Sequence, residues 1–244
     1  MGSDVQQVQG RVVERNLPKW CAARGMDPSA FISPDWSFLT DGVARWFLDA
    51  VEREYVKAGE RGGFTLNGSK AGIFDHGSSH VEPQPMKLYK EGLIEVAIVG
   101  ALCGRSAWPA ANLRFQSPRH ASSPRYKESK PWAFDVLAYD DPETKTAGLV
   151  AEAKTRQSDA RALAEDLKAC GARGKHLEAD CQGKPNHHRK YQGLLEHRPR
   201  VIWIVGPESF DDEPDLAFRL NEPGGGVINL VPATSDDLRY RSGD

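Results

Sequence analysis

The chain has 244 residues, 39% of them hydrophobic and 27% charged, and a formal net charge of −2; that is enough chain and enough apolar content for a sizeable core, which excludes wholesale disorder and a stapled mini-protein. A near-neutral total also excludes attraction of polyanions through overall charge, so any nucleic-acid contact has to come from local clusters. The longest apolar stretch, Val96 to Cys103 behind Leu93 and Ile94, is too short to cross a bilayer, the start of the chain lacks a basic segment followed by an apolar run, and Cys21, Cys103, Cys170 and Cys181 show no paired spacing, so the expectation is a cytoplasmic protein with reduced thiols and no membrane partner.

In chain order, helical periodicity runs from Val5 to Arg24 and from Trp36 to Lys57, with Pro28 and Pro34 between them; Val43, Trp46, Phe47, Ala50 and Val51 share one face of the second segment. Glycine-rich turns from Gly59 to Pro85 surround short strands predicted at Phe64 to Leu66 and Ala71 to Phe74. Met86 to Cys103 reads as a helix that is apolar nearly all round in its second half, hence buried against a sheet, with Glu91 and Glu95 one turn apart. A strand is expected at Asn112 to Gln116, followed by a Ser/Pro/basic loop from Ser117 to Lys130 that carries Arg119, Arg125, Lys127 and Lys130. Such a loop is either a solvated connection or a phosphate contact.

Trp132 to Tyr139 and Ala147 to Thr155 are apolar runs separated by Asp140-Asp141-Pro142-Glu143-Thr144, the pattern of a hairpin. Ser158 is the expected N-cap of a helix to about Ala172, Asn186 to His197 a further helix, Arg200 to Val205 a fully apolar strand and Val227 to Val231 a last strand. The predicted fold class is α/β, a mixed central sheet flanked by helices with an N-terminal helical region. The predicted division is residues 1–79 for that region and 80–244 for the domain carrying the sheet, whose core ends near 232.

The chemistry concentrates on the hairpin. Side chains of a strand alternate, so Glu152 and Lys154 share a face about 7 Å apart. If the turn is symmetric about Glu143-Thr144, Asp135 lies opposite Glu152 with side chains roughly 5 Å apart. Two carboxylates that close, flanked by Phe134, Val136, Leu149 and Val150, repel each other unless a cation sits among them. Magnesium suits such a pair because it takes one or two carboxylates, keeps waters and uses phosphate oxygens for the rest. The bland reading is a cross-strand salt bridge on a solvated sheet face, which the apolar strands argue against.

Phe134-Asp135-Val136 on one strand, with Glu152-Ala153-Lys154 ending its neighbour, resembles the PD-(D/E)XK nuclease superfamily, the restriction-endonuclease-like enzymes. The departure is Phe134 where the nominal motif has proline. The likeness spans about half the chain and implies a core of helix, three strands, helix and fourth strand, the order read from about Met86 to Val205. It implies metal ligation by Asp135, Glu152 and the Ala153 carbonyl, Lys154 as the catalytic lysine, and Glu95 from the first core helix completing the shell, with Glu91 as the alternative. It further implies Mg2+, with Mn2+ substituting, and endonucleolytic hydrolysis of phosphodiesters in DNA, in defence against foreign DNA or in repair. Relatives that carry polar and aromatic residues on the late helix point to Lys190, Tyr191 or Gln192 as supporting groups, Lys190 also as a nucleic-acid contact.

Two other classes stay open. One is a catalytically inactive nuclease fold used as a nucleic-acid-binding or assembly subunit, and the other a zinc-organised module on Cys170, His176, Cys181 and His187, whose spacing fits no common zinc pattern. The modest net charge leaves a homo-oligomer or a partner subunit as a route to a larger basic surface.

Overall fold

In the computed structural model the described residues are 2–76, 86–115, 134–143, 146–173, 185–210, 214–224 and 227–241. The chain opens with helix α1 (Ser3–Gly10), a π-helical turn (Arg11–Asn16) and α2 (Leu17–Ala22). Pro18 explains the wide turn: it lacks the N–H that the carbonyl of Glu14 would receive, and the amide of Leu17 reaches back five residues to Val12 instead. After strand β1 (Phe31–Ile32), helix α3 (Asp41–Glu52) begins at Thr40, whose Oγ1 accepts from the amide of Val43 at 3.3 Å and donates to the carbonyl of Pro207 at 2.8 Å.

Short strands β2 (Lys57–Ala58), β3 (Phe64–Leu66) and β4 (Ser69–Ala71) form an antiparallel sheet. Strands β5 (Phe74–His76) and β6 (Met86–Leu88) join β1 in another, with β6 parallel to β1 and antiparallel to β5. The segment expected as one strand from Ala71 to Phe74 is therefore divided between two sheets. Met86 to Leu88, expected to open a helix, is a strand because it pairs with residues distant in sequence, and the helix α4 (Lys90–Gly104) starts only after Tyr89.

The principal sheet has six strands in the order β12-β11-β10-β9-β8-β7, built from β7 (Leu113–Phe115), β8 (Val136–Asp141), β9 (Thr146–Ala153), β10 (Val201–Val205), β11 (Ala217–Gly224) and β12 (Val227–Pro232). It is mixed: β9 and β10 run parallel and every other neighbouring pair is antiparallel. Helices α5 (Gln157–Arg173) and α6 (Pro185–His197) make the crossover from β9 to β10. Helix α5 starts at Gln157, one residue before the expected cap Ser158, and β11 is a strand that no local sequence pattern announces.

Alternation along the strands divides the core. Leu149, Ala151 and Ala153 of β9 join α4 and the N-terminal helices in one apolar cluster, whereas Val150 joins Leu163, Ala164 and Leu167 of α5 and Leu194 of α6 in the other. Residues Gly92 to Leu102 of α4 are all buried, because α3 covers the side of α4 that the sheet does not. The carbonyl of Trp46 sits where a side chain on Gly100 would be, so the two helices approach at backbone distance. Each fully buried Leu or Ile here contributes about 1.5–3 kcal/mol. Among the described residues no helix is long and apolar enough to cross a membrane.

Candidate functional site

The site lies at the carboxyl end of β9, beside its parallel neighbour β10. The amide of Lys154 donates to the carbonyl of Val205 at 2.8 Å, so the chain stays attached to β10 one residue past the end of β9. Crevices outside the carboxyl ends of parallel strands are where open α/β sheets expose backbone and side chains to ligands. A polar knot fixes the two exits: Gln157 receives the amide of Glu208 at 3.2 Å and donates to Asp215 at 2.8 Å, while Ser209 donates to the same carboxylate at 3.0 Å.

Asp135 precedes β8. The pairing Val136↔Ala151 is the last of the hairpin ladder at this end, and extending it by one step sets Asp135 against Glu152, the register expected from the symmetric turn. The ladder changes there. The amide of Asp135 donates to the carbonyl of Ala151 at 3.0 Å, and its Oδ2 accepts from the amide of Ala153 at 2.7 Å. The carboxylate thus takes the place of a backbone acceptor and ties itself to the end of β9.

Glu152 is 4% exposed and holds two ammonium groups. Lys154 Nζ lies 2.7 Å from Oε1 and Lys190 Nζ, from α6, lies 2.5 Å from Oε2. Lys154 Nζ also donates to the carbonyl of Ala153 at 3.0 Å, and Lys190 Nζ stands over the buried ring of Phe134 at 5.2 Å. Asp135, also 4% exposed, and Glu152 set two buried carboxyl groups beside two ammonium groups. Strand alternation places only the first of these cations. Lys190, expected as a supporting group or a nucleic-acid contact, is an ion-pair partner of the candidate site, and no local signal could say so because the contact depends on how α6 docks across the sheet.

The two carboxylates respond oppositely to this setting. Burial and then the charge of Glu152 push the Asp135 carboxyl up, to about 7, with Lys190 and Lys154 opposing. Burial pushes Glu152 up as well, but Lys190 and Lys154 outweigh it and hold its pKa below the usual value. For Lys154 burial acts downward and is exceeded by Glu152 and Asp135, so its ammonium is held above the ordinary range. At neutral pH Lys154 is therefore a cation and a donor, not a base.

Helix α4 presents its first turn to this cluster. Tyr89 is largely buried, and that burial, together with the charges of Glu91, Glu95 and Asp135, raises its hydroxyl's pKa; the hydroxyl is hydrogen-bonded to Glu91. Glu91 also acts on Asp135 and on Lys154. Glu95 is fully buried within α4 and acts on Tyr89. The structure thus assembles Asp135, Glu152, Ala153, Lys154 and Lys190, with Glu91 the half-buried acid at the rim. No three Asp, Glu, His or Cys side chains among the described residues form a group that could by itself hold a metal ion.

Other expected positions serve elsewhere. The Tyr191 hydroxyl accepts from the amide of Ile228 at 3.2 Å, which fastens α6 to β12, and Gln192 Nε2 lies 3.3 Å from His188 Nε2. His187 pairs with Asp166 at 2.6 Å and Cys170 lies 3.9 Å from His188, while His176 and Cys181 of the zinc alternative fall outside the described residues. Arg119, Arg125, Lys127 and Lys130 also fall outside them.

Compared with protein-family models, with curated proteins and with solved structures, the chain matches none.

Proposed function

We propose that this chain is a metal-dependent phosphodiesterase of the PD-(D/E)XK kind, acting on nucleic acid and most simply on DNA. The observation that carries the reading is the junction at the end of β9, where Asp135 accepts from the Ala153 amide and Lys154 donates both to Glu152 and to the Ala153 carbonyl. It is supported by the succession of α4, the meander β7-β8-β9, the crossover helices and the parallel strand β10, which follows the order that the resemblance implies.

The residues suit magnesium or manganese. The donors are hard oxygens, and the Lys154 ammonium already bridges two of them, Glu152 Oε1 and the Ala153 carbonyl, so the notch attracts positive charge. Asp135, Glu152 and Ala153 would hold the ion, with Glu91 or Glu95 as the acid contributed by α4. When bound, the ion supplies Lewis-acid activation of a phosphate oxygen and of water. The chain's own part is electrostatic and positional. Lys154, fixed between Glu152 and the β9 end, directs a permanent positive charge at the place where a phosphate would enter, and pre-set charge of this kind favours the developing phosphorane over the ground state. Lys190 offsets the second oxygen of Glu152, and Phe134 shields that pair from water.

A second reading has its own observation. Both ammonium groups already lie on Glu152, at 2.7 and 2.5 Å, so the cluster is also a buried salt-bridge network, which fits an inactive nuclease fold that binds nucleic acid or assembles with a partner. A panel of linear, circular, single- and double-stranded DNA and RNA, incubated with magnesium, manganese or chelator, separates the two. Cleavage by the wild type with either metal, absent with chelator and absent in folded Asp135→Ala and Lys154→Ala proteins, supports the enzyme. Retention of nucleic-acid binding with no cleavage of any substrate would select the second reading.

A further inference from the structure

Far from β9 in sequence, α2, β2, β4 and the turn between β2 and β3 enclose an open cleft of about 730 Å³. Arg24, Lys57, Arg61 and Lys70 line it, all exposed, against a single acid, Glu60. None of the four cations makes an ion pair among the described residues: Arg24 donates to the carbonyl of Trp20 at 3.3 Å and stands 4.4 Å from that ring. Arg24 and Arg61 are near enough that the second lowers the pKa of the first, adding to the effect of desolvation. Four exposed cations around one trough give it a local positive potential, which attracts a polyanion.

The cleft is rigid. Gly62 adopts φ +77°, and a side chain there would run into Trp20 and the carbonyl of Asn16. Asn16 Nδ2 donates to the Gly62 carbonyl at 3.1 Å inside the protein, and the amide of Gly59 donates to the Gly63 carbonyl at 2.7 Å. Arg61 is therefore carried on a pinned turn, which lowers the entropy lost when it meets a ligand. The floor also reaches the candidate site: the carbonyl of Ile73 accepts from the amide of Tyr89 at 2.9 Å, and Tyr89 carries the hydrogen bond to Glu91 beside Asp135.

We propose that this cleft is a second nucleic-acid site, gripping the phosphate backbone through Arg24, Lys57, Arg61 and Lys70. The cations are spread over separate elements along an open trough, as a chain of phosphates requires and a single small anion does not. A lipid surface fits less well, since the exposed large hydrophobics among the described residues, Val13 and Ile32, do not line the cleft. The proposal goes beyond the nuclease reading, and the binding it describes does not depend on cleavage.

The test is equilibrium binding of a fluorescent single strand and a fluorescent duplex in chelator, from about 50 to 200 mM salt. Arg61→Gln combined with Lys70→Gln removes two contacts, so binding should weaken about tenfold and the slope of log K against log salt should fall by about 1.4 for the single strand or 1.8 for the duplex. An unchanged slope and affinity in the folded double variant would overturn the proposal. So would displacement of the oligonucleotide by inorganic phosphate alone, or stronger binding to phosphatidylserine vesicles that the same variant loses. If the double variant does not fold, Arg61→Gln and Lys70→Gln are measured singly, each expected to lower the slope by half as much, and an unchanged slope in both overturns the proposal equally. A wild type that binds with the expected slope but never cleaves sinks the nuclease reading and leaves this one standing.

Discussion

The protein keeps two groups of cations under opposite rules. At the end of β9, Lys154 and Lys190 have side chains only 19% and 15% exposed, and both are paired to Glu152. Around the N-terminal cleft, Arg24, Lys57, Arg61 and Lys70 are exposed and have no acid partner among the described residues. The difference is one of dielectric. A buried ammonium without a counter-charge would deprotonate or destabilise the fold, so burial demands pairing, whereas water tolerates an unpaired surface cation at little cost. Paired buried charges fix the geometry of the candidate site, and unpaired exposed ones remain available to a ligand.

That contrast can be broken most severely at the candidate site. On the proposed nuclease reading, Asp135→Ala or Lys154→Ala should reduce metal-dependent cleavage by about a thousandfold or more, the scale of losing one pre-set electrostatic group at a reacting centre, as measured by single-turnover digestion of a labelled duplex. The next effect in size is on stability. Lys190→Ala leaves Glu152 with Lys154 as its one paired ammonium and should destabilise the fold by about 3 kcal/mol in chelator. Magnesium should restore much of this loss in thermal or urea unfolding if Glu152 is a ligand. A loss of the same size with and without magnesium would argue that Glu152 does not hold the ion.

The third prediction follows from Asp135, whose carboxyl is raised to about 7 in the fold. A raised carboxyl binds its proton more tightly folded than unfolded. Its stabilising contribution is therefore complete below about pH 4 and is lost as pH rises through about 7. In chelator the wild type should lose about 4 kcal/mol across that window relative to Asp135→Asn, which removes the charge. Parallel stability curves for the two proteins would show that Asp135 is not held in the protonated form. The smallest effect belongs to the cleft: Arg61→Gln and Lys70→Gln should each change unfolding free energy by no more than about 0.5 kcal/mol, because exposed groups without partners support no packing.

The hairpin and its acids are legible in the sequence because the information is local. Alternation fixes which side chains share a face, and a symmetric turn gives the register found at the site end, Val136↔Ala151, although the ladder shifts on either side of Tyr139. The buried helix is legible for the same reason, since a segment apolar on every side must be covered on every side. Local patterns misassign Met86 to Leu88 and miss Ala217 to Gly224, whose strand character comes from partners remote in the chain.

Sequence by itself thus determined the chemistry on offer: two acids and a lysine set by strand alternation within about twenty residues. Tertiary structure decided what surrounds them. The Lys190 contact requires α6 to dock across the sheet, Glu91 reaches the site because α4 begins just after Tyr89, and the cleft joins Arg24 to cations distant from it along the chain. Spacing along the chain carries periodicity, but the meeting of distant charges depends on how whole elements pack, which no short stretch of residues encodes.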